Sequence, residues 1–200
     1  MGTWKEVIPK NKSLNEKKFR ELIIYLAKRS QGDIYFGATK LNKLLFYCDF
    51  SSYRMYGKSI TGSMYQKLQW GPAPRYLKPI QEKMIADGDI DIQHISFGNG
   101  IKQARAVALR DPDISRFSKE EIALIEDVID RFRMKNASEV SLLSPEFIGW
   151  KVVEFNSDIP YCLSLVGDRE PSAYEIKYGN SLIDLAKREL SKYISFHARP

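Results

Sequence analysis

A mainly α fold with a small antiparallel β-sheet, a single helical α+β domain around a central buried helix with a β-hairpin, is predicted by three observations. First, residues from about Ala38 to Met55 are apolar or aromatic on almost every side at 100° per residue (Leu41, Leu44, Leu45, Phe46, Tyr47, Cys48, Phe50, Tyr53). A helix apolar nearly all round belongs in the middle of a domain. Second, two other segments carry one apolar stripe each. Phe19, Leu22, Ile23, Leu26 and Ala27 mark a helix over 15–29, and Ile122, Ile125, Val128, Ile129 and Phe132 mark another after Ser118. Third, residues 90–97 and 101–109 alternate in polarity around Gly98-Asn99-Gly100, as a hairpin with a tight turn does.

Taken in chain order, residues 1–13 are a polar, Lys-rich, flexible lead. Ser13 and Glu16 fit a capping box for the first helix, and Gln31-Gly32-Asp33 ends it. Gly57 closes the central helix. Its two narrow polar stripes carry Asn42 with Asp49, and Lys43 with Arg54. Thr61-Gly62-Ser63 reads as a turn, Met64–Gln69 as a short strand, and Gly71-Pro72 as its break. A helix starts near Pro74 and stops at Gly88, with Pro79 early enough to be tolerated or to kink it. The hairpin, barely stable alone, must pack on helices or recruit Met64–Gln69 as a third strand. Ser118 and Glu121 form a second capping box, and Asn136 opens a short helix that Pro145 interrupts before Phe147. Leu182, Leu185, Ala186, Leu190 and Tyr193 mark a terminal helix over 181–194. The expected organisation is a lead (1–13), a domain (14–153) and an extension ending in a helix, packed on the same domain (154–200).

With 44% hydrophobic and 28% charged residues, the 200-residue chain is not a disordered one. No apolar run reaches the roughly 18 residues of a membrane span, and the first twenty residues hold no signal-peptide core. Cys48 and Cys162 are distant and lack C-x-x-C partners, so free thiols in the cytoplasm are expected. Net charge is +6, with 16 Lys and Arg against 9 Asp and Glu in residues 1–100. Nucleic-acid binders cluster charge more tightly, so this excess is read as a solvated surface.

Catalytic options are few. His94 lies in a hairpin strand and His197 in the tail, without metal-ligand spacing, so no metal or cofactor is expected. Cys48 faces the apolar side of its helix, and no base is identifiable for Cys162. Phosphate-cradling and dinucleotide glycine loops and G-x-S-x-G do not occur. The expectation is a protein that is not an enzyme and has no catalytic residues. Asp49, an acid on a buried helix, must be paired or hydrogen-bonded. An anchoring role, toward Arg75, Arg54 or a loop backbone, is preferred over catalysis. Tyr65, Trp70 and Tyr76, with Lys67 and Arg75, suit a core or a protein interface better than nucleic-acid stacking.

The string Lys40-Leu-Asn-Lys-Leu-Leu-Phe-Tyr-Cys-Asp-Phe50, then Gly57-Lys-Ser-Ile-Thr-Gly62, Tyr65 and Trp70-Gly71-Pro72, resembles the Panacea domain of SocA-like antitoxins. Several spaced elements recur in order, over Thr39–Leu77 and out to Val152. Relatives often carry a Ser-His pair before a tryptophan, whereas this chain has Ser144-Pro145-Glu146 and Trp150. The resemblance implies a bacterial or phage antitoxin that binds a cognate toxin encoded by an adjacent gene, with occlusion of the toxin or its delivery to a protease as mechanism. Candidate partner-binding residues are Lys43, Asp49, Tyr65, Trp70 and Arg75. The alternative is a phage or mobile-element accessory protein binding nucleic acid through its basic N-terminal half.

Overall fold

A computed structural model describes residues 14–98, 100, 102–142 and 152–166, together with 184, 187 and 188. The chain divides into two units, Met1–Gly167 and Asp168–Pro200, and the hydrophobic core described here lies in the first. The lead over 1–13, the departure around Pro145 and most of the helix expected over 181–194 lie outside the described residues.

Helix α1 (Glu16–Arg29) buries the predicted stripe, with Phe19, Leu22, Ile23 and Leu26 fully inside. Its cap is Asn15, whose side chain accepts from Lys18 N at 3.0 Å, in place of the expected Ser13. The amide of Asn15 meanwhile donates to Thr61 O, so the residue that starts α1 also ties it to the loop after the central helix. That central helix, α2 (Ala38–Tyr56), is buried on nearly all sides as its composition requires, and Gly57 closes it at φ +69. Gly37 precedes it where a Cβ would meet the Gln103 side chain at 2.6 Å.

After α2 the structure departs from the reading of a lone strand. Strand β1 (Tyr65–Leu68) turns at Gln69-Trp70 and pairs antiparallel with β2 (Gly71–Pro74), so Gly71-Pro72 opens a strand instead of ending one. Prolines are confined to sheet positions whose N–H faces away from the ladder. Arg75 N donates to Met64 O at 2.8 Å; by alternation Ala73 and Arg75 face β1, and Pro72 and Pro74 face outward. Helix α3 (Leu77–Ala86) therefore begins later than Pro74, with Pro79 in its first turn, and Gly88 follows it at φ +75.

The hairpin is β3 (Ile90–Ser96) and β4 (Lys102–Ala108), paired from Ile90–Ala108 to Ser96–Lys102. It does not recruit β1: the two sheets are separate, and the hairpin packs on α1 and α3. Its base is tied to α1 by charge. Arg110 donates to Glu21 at 2.7 and 3.0 Å and to Asp89 at 2.6 Å, and Arg20 reaches Asp87 and Asp89, each at 2.5 Å. Helix α4 (Lys119–Phe132) carries the predicted capping box of Ser118 and Glu121, and Lys18 of α1 also binds Glu121 at 2.7 Å. Helix α5 (Ala137–Leu142) follows Asn136, whose side chain accepts from Glu139 N.

Residues 154–166, expected to begin an extension, are part of this unit. Ile159 and Tyr161 are buried, and a 3₁₀ turn spans Tyr161–Leu165. The result is a mainly helical α+β unit with two small antiparallel sheets around α2.

Candidate functional site

The Asp49 carboxylate has no exposed surface and accepts three hydrogen bonds: from Thr61 N at 2.7 Å, Thr61 Oγ1 at 2.5 Å and Tyr65 OH at 2.7 Å. Burial pushes its pKa up, and the bonds from Thr61 and Tyr65 oppose that rise. Gly62 beside it takes φ +73, which lets the loop fold back over the helix. The Tyr65 hydroxyl also lies 2.8 Å from Leu45 O, one turn before Asp49 on α2. Of the anchors considered for Asp49, the loop backbone is the one it takes. An analogous tie holds the start of α2: buried Lys40 binds Asp33 and donates to Lys135 O at 2.9 Å, while Asp33 accepts from Tyr35 N and Met134 N.

Beside the Asp49 knot, β1 carries a third extended segment. Lys67 N donates to Ser157 O (3.0 Å), Asn156 N to Lys67 O (2.9 Å) and Ile159 N to Tyr65 O (2.8 Å). Tyr161 then enters the core. Its ring stacks on Tyr53 at 5.5 Å and lies 4.6 Å from Phe50, and its hydroxyl donates to Ser63 O at 2.6 Å. At one end of this ribbon two aromatic side chains face solvent, Trp70 (69% exposed) on the β1–β2 turn and Phe155 (60%) just before the paired stretch. Arg75 crosses to Asp158 at 2.7 and 2.9 Å. A cleft of about 740 Å³ opens beside Tyr161, walled by Tyr53, residues 57–62, Lys18 and Glu121.

A family model described as "Antitoxin SocA-like, Panacea domain" matches residues 41–151, more than half of the chain. The chain belongs to the SocA-like antitoxin family. No curated protein and no solved structure gives a significant match.

The structure explains why the Panacea motif is spaced as it is. Lys40, Leu41, Leu44, Leu45 and Asp49 sit on the inward faces of α2, and Thr61, Gly62 and Tyr65 are the loop and strand that Asp49 binds. The motif thus encodes a fold, and this divides the five residues proposed for partner binding. Lys43, Asp49 and Tyr65 are buried to 1% exposure or less, so the expectation that they form part of an exposed contact surface is corrected: in the free protein they offer none. Trp70 is on the surface, and Arg75 is exposed within its ion pair.

Sequence reasoning missed Phe155 and Tyr161, because a short irregular segment after Val153 has no periodicity to mark it. It also missed how charge is distributed in space. Cations of the first half are met by carboxylates from elsewhere in the fold: Lys18 by Glu121, Lys28 by Asp111, Arg29 by Glu126 and Arg75 by Asp158. Among the described residues no helix is long and apolar enough to cross a membrane.

Lys43 provides a pH test of the interior. Burial pushes its ammonium down to about 8 from 10.5. Between those values the folded state holds fewer protons than the unfolded chain, so stability rises with pH across that window. The rise is expected to reach about 3 kcal/mol at most. Urea midpoints measured across that window should rise more steeply in the wild type than in Lys43→Met, the difference being the Lys43 contribution.

Proposed function

We propose that this protein is an antitoxin that neutralises a cognate toxin, the product of an adjacent gene, by direct protein–protein contact and without catalysis. Membership of the SocA-like family carries this reading. The ribbon tip supports it. A large aromatic side chain standing in solvent at a tight turn has the character of an interface anchor. The site of action is the cytoplasm, where Cys48 and Cys162 stay as free thiols. Occlusion of the toxin's working surface is the mechanism; delivery to a protease would instead show as loss of the toxin in the cell.

Co-expression with the neighbouring gene product tests the proposal. The wild type restores growth; if the neighbour is not toxic alone, or stays toxic, the reading fails. Trp70→Ala truncates a ring that is outside the core, and thermal unfolding beside the wild type checks that the fold is kept. Its affinity for the purified toxin should fall about 30-fold, as for loss of an interface anchor. Unchanged affinity would remove Trp70 from the interface.

A further inference from the structure

The Panacea match ends at residue 151, yet residues beyond it complete the sheet and the core of the matched region. Residues 156–159 take the outer edge of β1 through three main-chain hydrogen bonds. Ile159 is buried in the core, and Tyr161, two positions on, packs against an aromatic floor made by Phe50, Tyr53 and Tyr65. Main-chain pairing to a sheet edge, with alternate side chains in pockets, is how an extended peptide is recognised by strand addition. The opposite edge of this sheet is unsuited to that, because Pro72 and Pro74 stand where its outward amides would be. The segment is also short and bracketed, by Asn156 at φ +62 and by Pro160. Apart from the buried Ile159 and Tyr161, it is held at its margins by partly exposed contacts: Arg75 to Asp158 and Asn156 O, and Lys67 to Val153 O. Past Tyr161 the floor continues into the open cleft walled by Tyr53 and residues 57–62.

We propose that the outer edge of β1, with the Phe50–Tyr53–Tyr65 floor, is a docking groove for an extended segment of the toxin, and that residues 156–161 occupy this groove in cis in the free protein. The proposal rests on the antitoxin reading for the identity of the partner. The incoming segment runs antiparallel to β1 and presents a branched aliphatic side chain two positions before an aromatic one, the pattern of Ile159 and Tyr161. Binding exchanges one strand for another, so the sheet and its buried carbonyls stay satisfied throughout, including Ser63 O if the incoming aromatic is a tyrosine.

The test locks the strap. Gln66 and Asp158 face each other as a non-hydrogen-bonded antiparallel pair, flanked by the bonds of Lys67 to Ser157 and Ile159 to Tyr65. Such pairs have Cα atoms about 4.5 Å apart, within reach of a disulfide. The full chain carrying Gln66→Cys and Asp158→Cys, with Cys162→Ser to remove a competing thiol, is compared oxidised and reduced. The reduced form controls for the lost Arg75 pair. The first probe is a fluorescent synthetic peptide of residues 154–166 with serine at 162, followed by anisotropy. The second is the purified product of the adjacent gene. The expected result is at least tenfold weaker binding of both probes to the oxidised protein, restored by reduction. Equal binding of the toxin to both forms overturns the groove and leaves the antitoxin reading standing. Peptide that binds neither form, or both equally, overturns the groove as well. A neighbour product that binds neither the reduced variant nor the wild type defeats the antitoxin reading, and with it the toxin as occupant.

Discussion

Replacing Asp49 by alanine is expected to destabilise the protein by about 4 kcal/mol, the cost of breaking a buried charged network at one partner. Three donors converge on this carboxylate, from Thr61 N, Thr61 Oγ1 and Tyr65 OH, and none of them has water as a substitute in the core. Losing the acceptor also leaves a void beside the fully buried Cys48 and Ser52. Asp49→Asn keeps the volume and one acceptor oxygen, but its NH₂ faces the Thr61 and Tyr65 hydroxyls, which both donated to the oxygen it replaces. A loss of about 2 kcal/mol is expected there. Urea unfolding of both variants, with the slope checked for a two-state transition, measures the difference. Asp49→Asn as stable as the wild type would mean that the knot contributes little.

The second large effect is expected at Asp33. Asp33→Ala leaves the Lys40 ammonium buried with only Lys135 O of its two described partners, and strips the acceptor from Tyr35 N and Met134 N. Breaking one side of a buried ion pair costs about 3 to 5 kcal/mol, whereas replacing both sides by apolar groups is often close to neutral. The double variant Asp33→Ala/Lys40→Met should therefore recover the part of the loss that comes from the unpaired ammonium, leaving the cost of the two amides without an acceptor. Thermal and urea unfolding of the two single variants and the double variant closes the cycle. Additive losses would show that Lys40 and Asp33 are not coupled. The point matters for the family motif, since Lys40 begins the motif string yet owes its position to an acid seven residues upstream.

Much of this was legible in the residues. A long stretch that is apolar all round can only be covered from every side, so α2 had to be central, and Gly57 marked its end because a left-handed cap needs no Cβ. The Ser118–Glu121 capping box was readable because its partners are three residues apart. Other elements were not, for identifiable reasons. Gly71–Pro74 holds two prolines and looks like a break; its strand pairing depends on which amides face β1, and that is fixed only when β1 is in place. Asn15 took the cap expected of Ser13 because it is also held by Thr61 O, a contact far away along the chain.

By itself, the sequence determined the class of fold, the central helix, the hairpin and the family, since these depend on local periodicity, turn chemistry and a motif of close spacing. Only the tertiary structure decided which motif residues face inward. Helical position told that Lys43 and Asp49 are polar and that Tyr65 follows a turn. Whether a polar side chain meets solvent or three buried donors depends on segments distant in the chain, and those segments closed over Lys43, Asp49 and Tyr65 while leaving Trp70 outside. The same reason hid the strap. Ile159 and Tyr161 become informative only beside the edge of β1 that the first pairs with and the aromatic floor that the second fills.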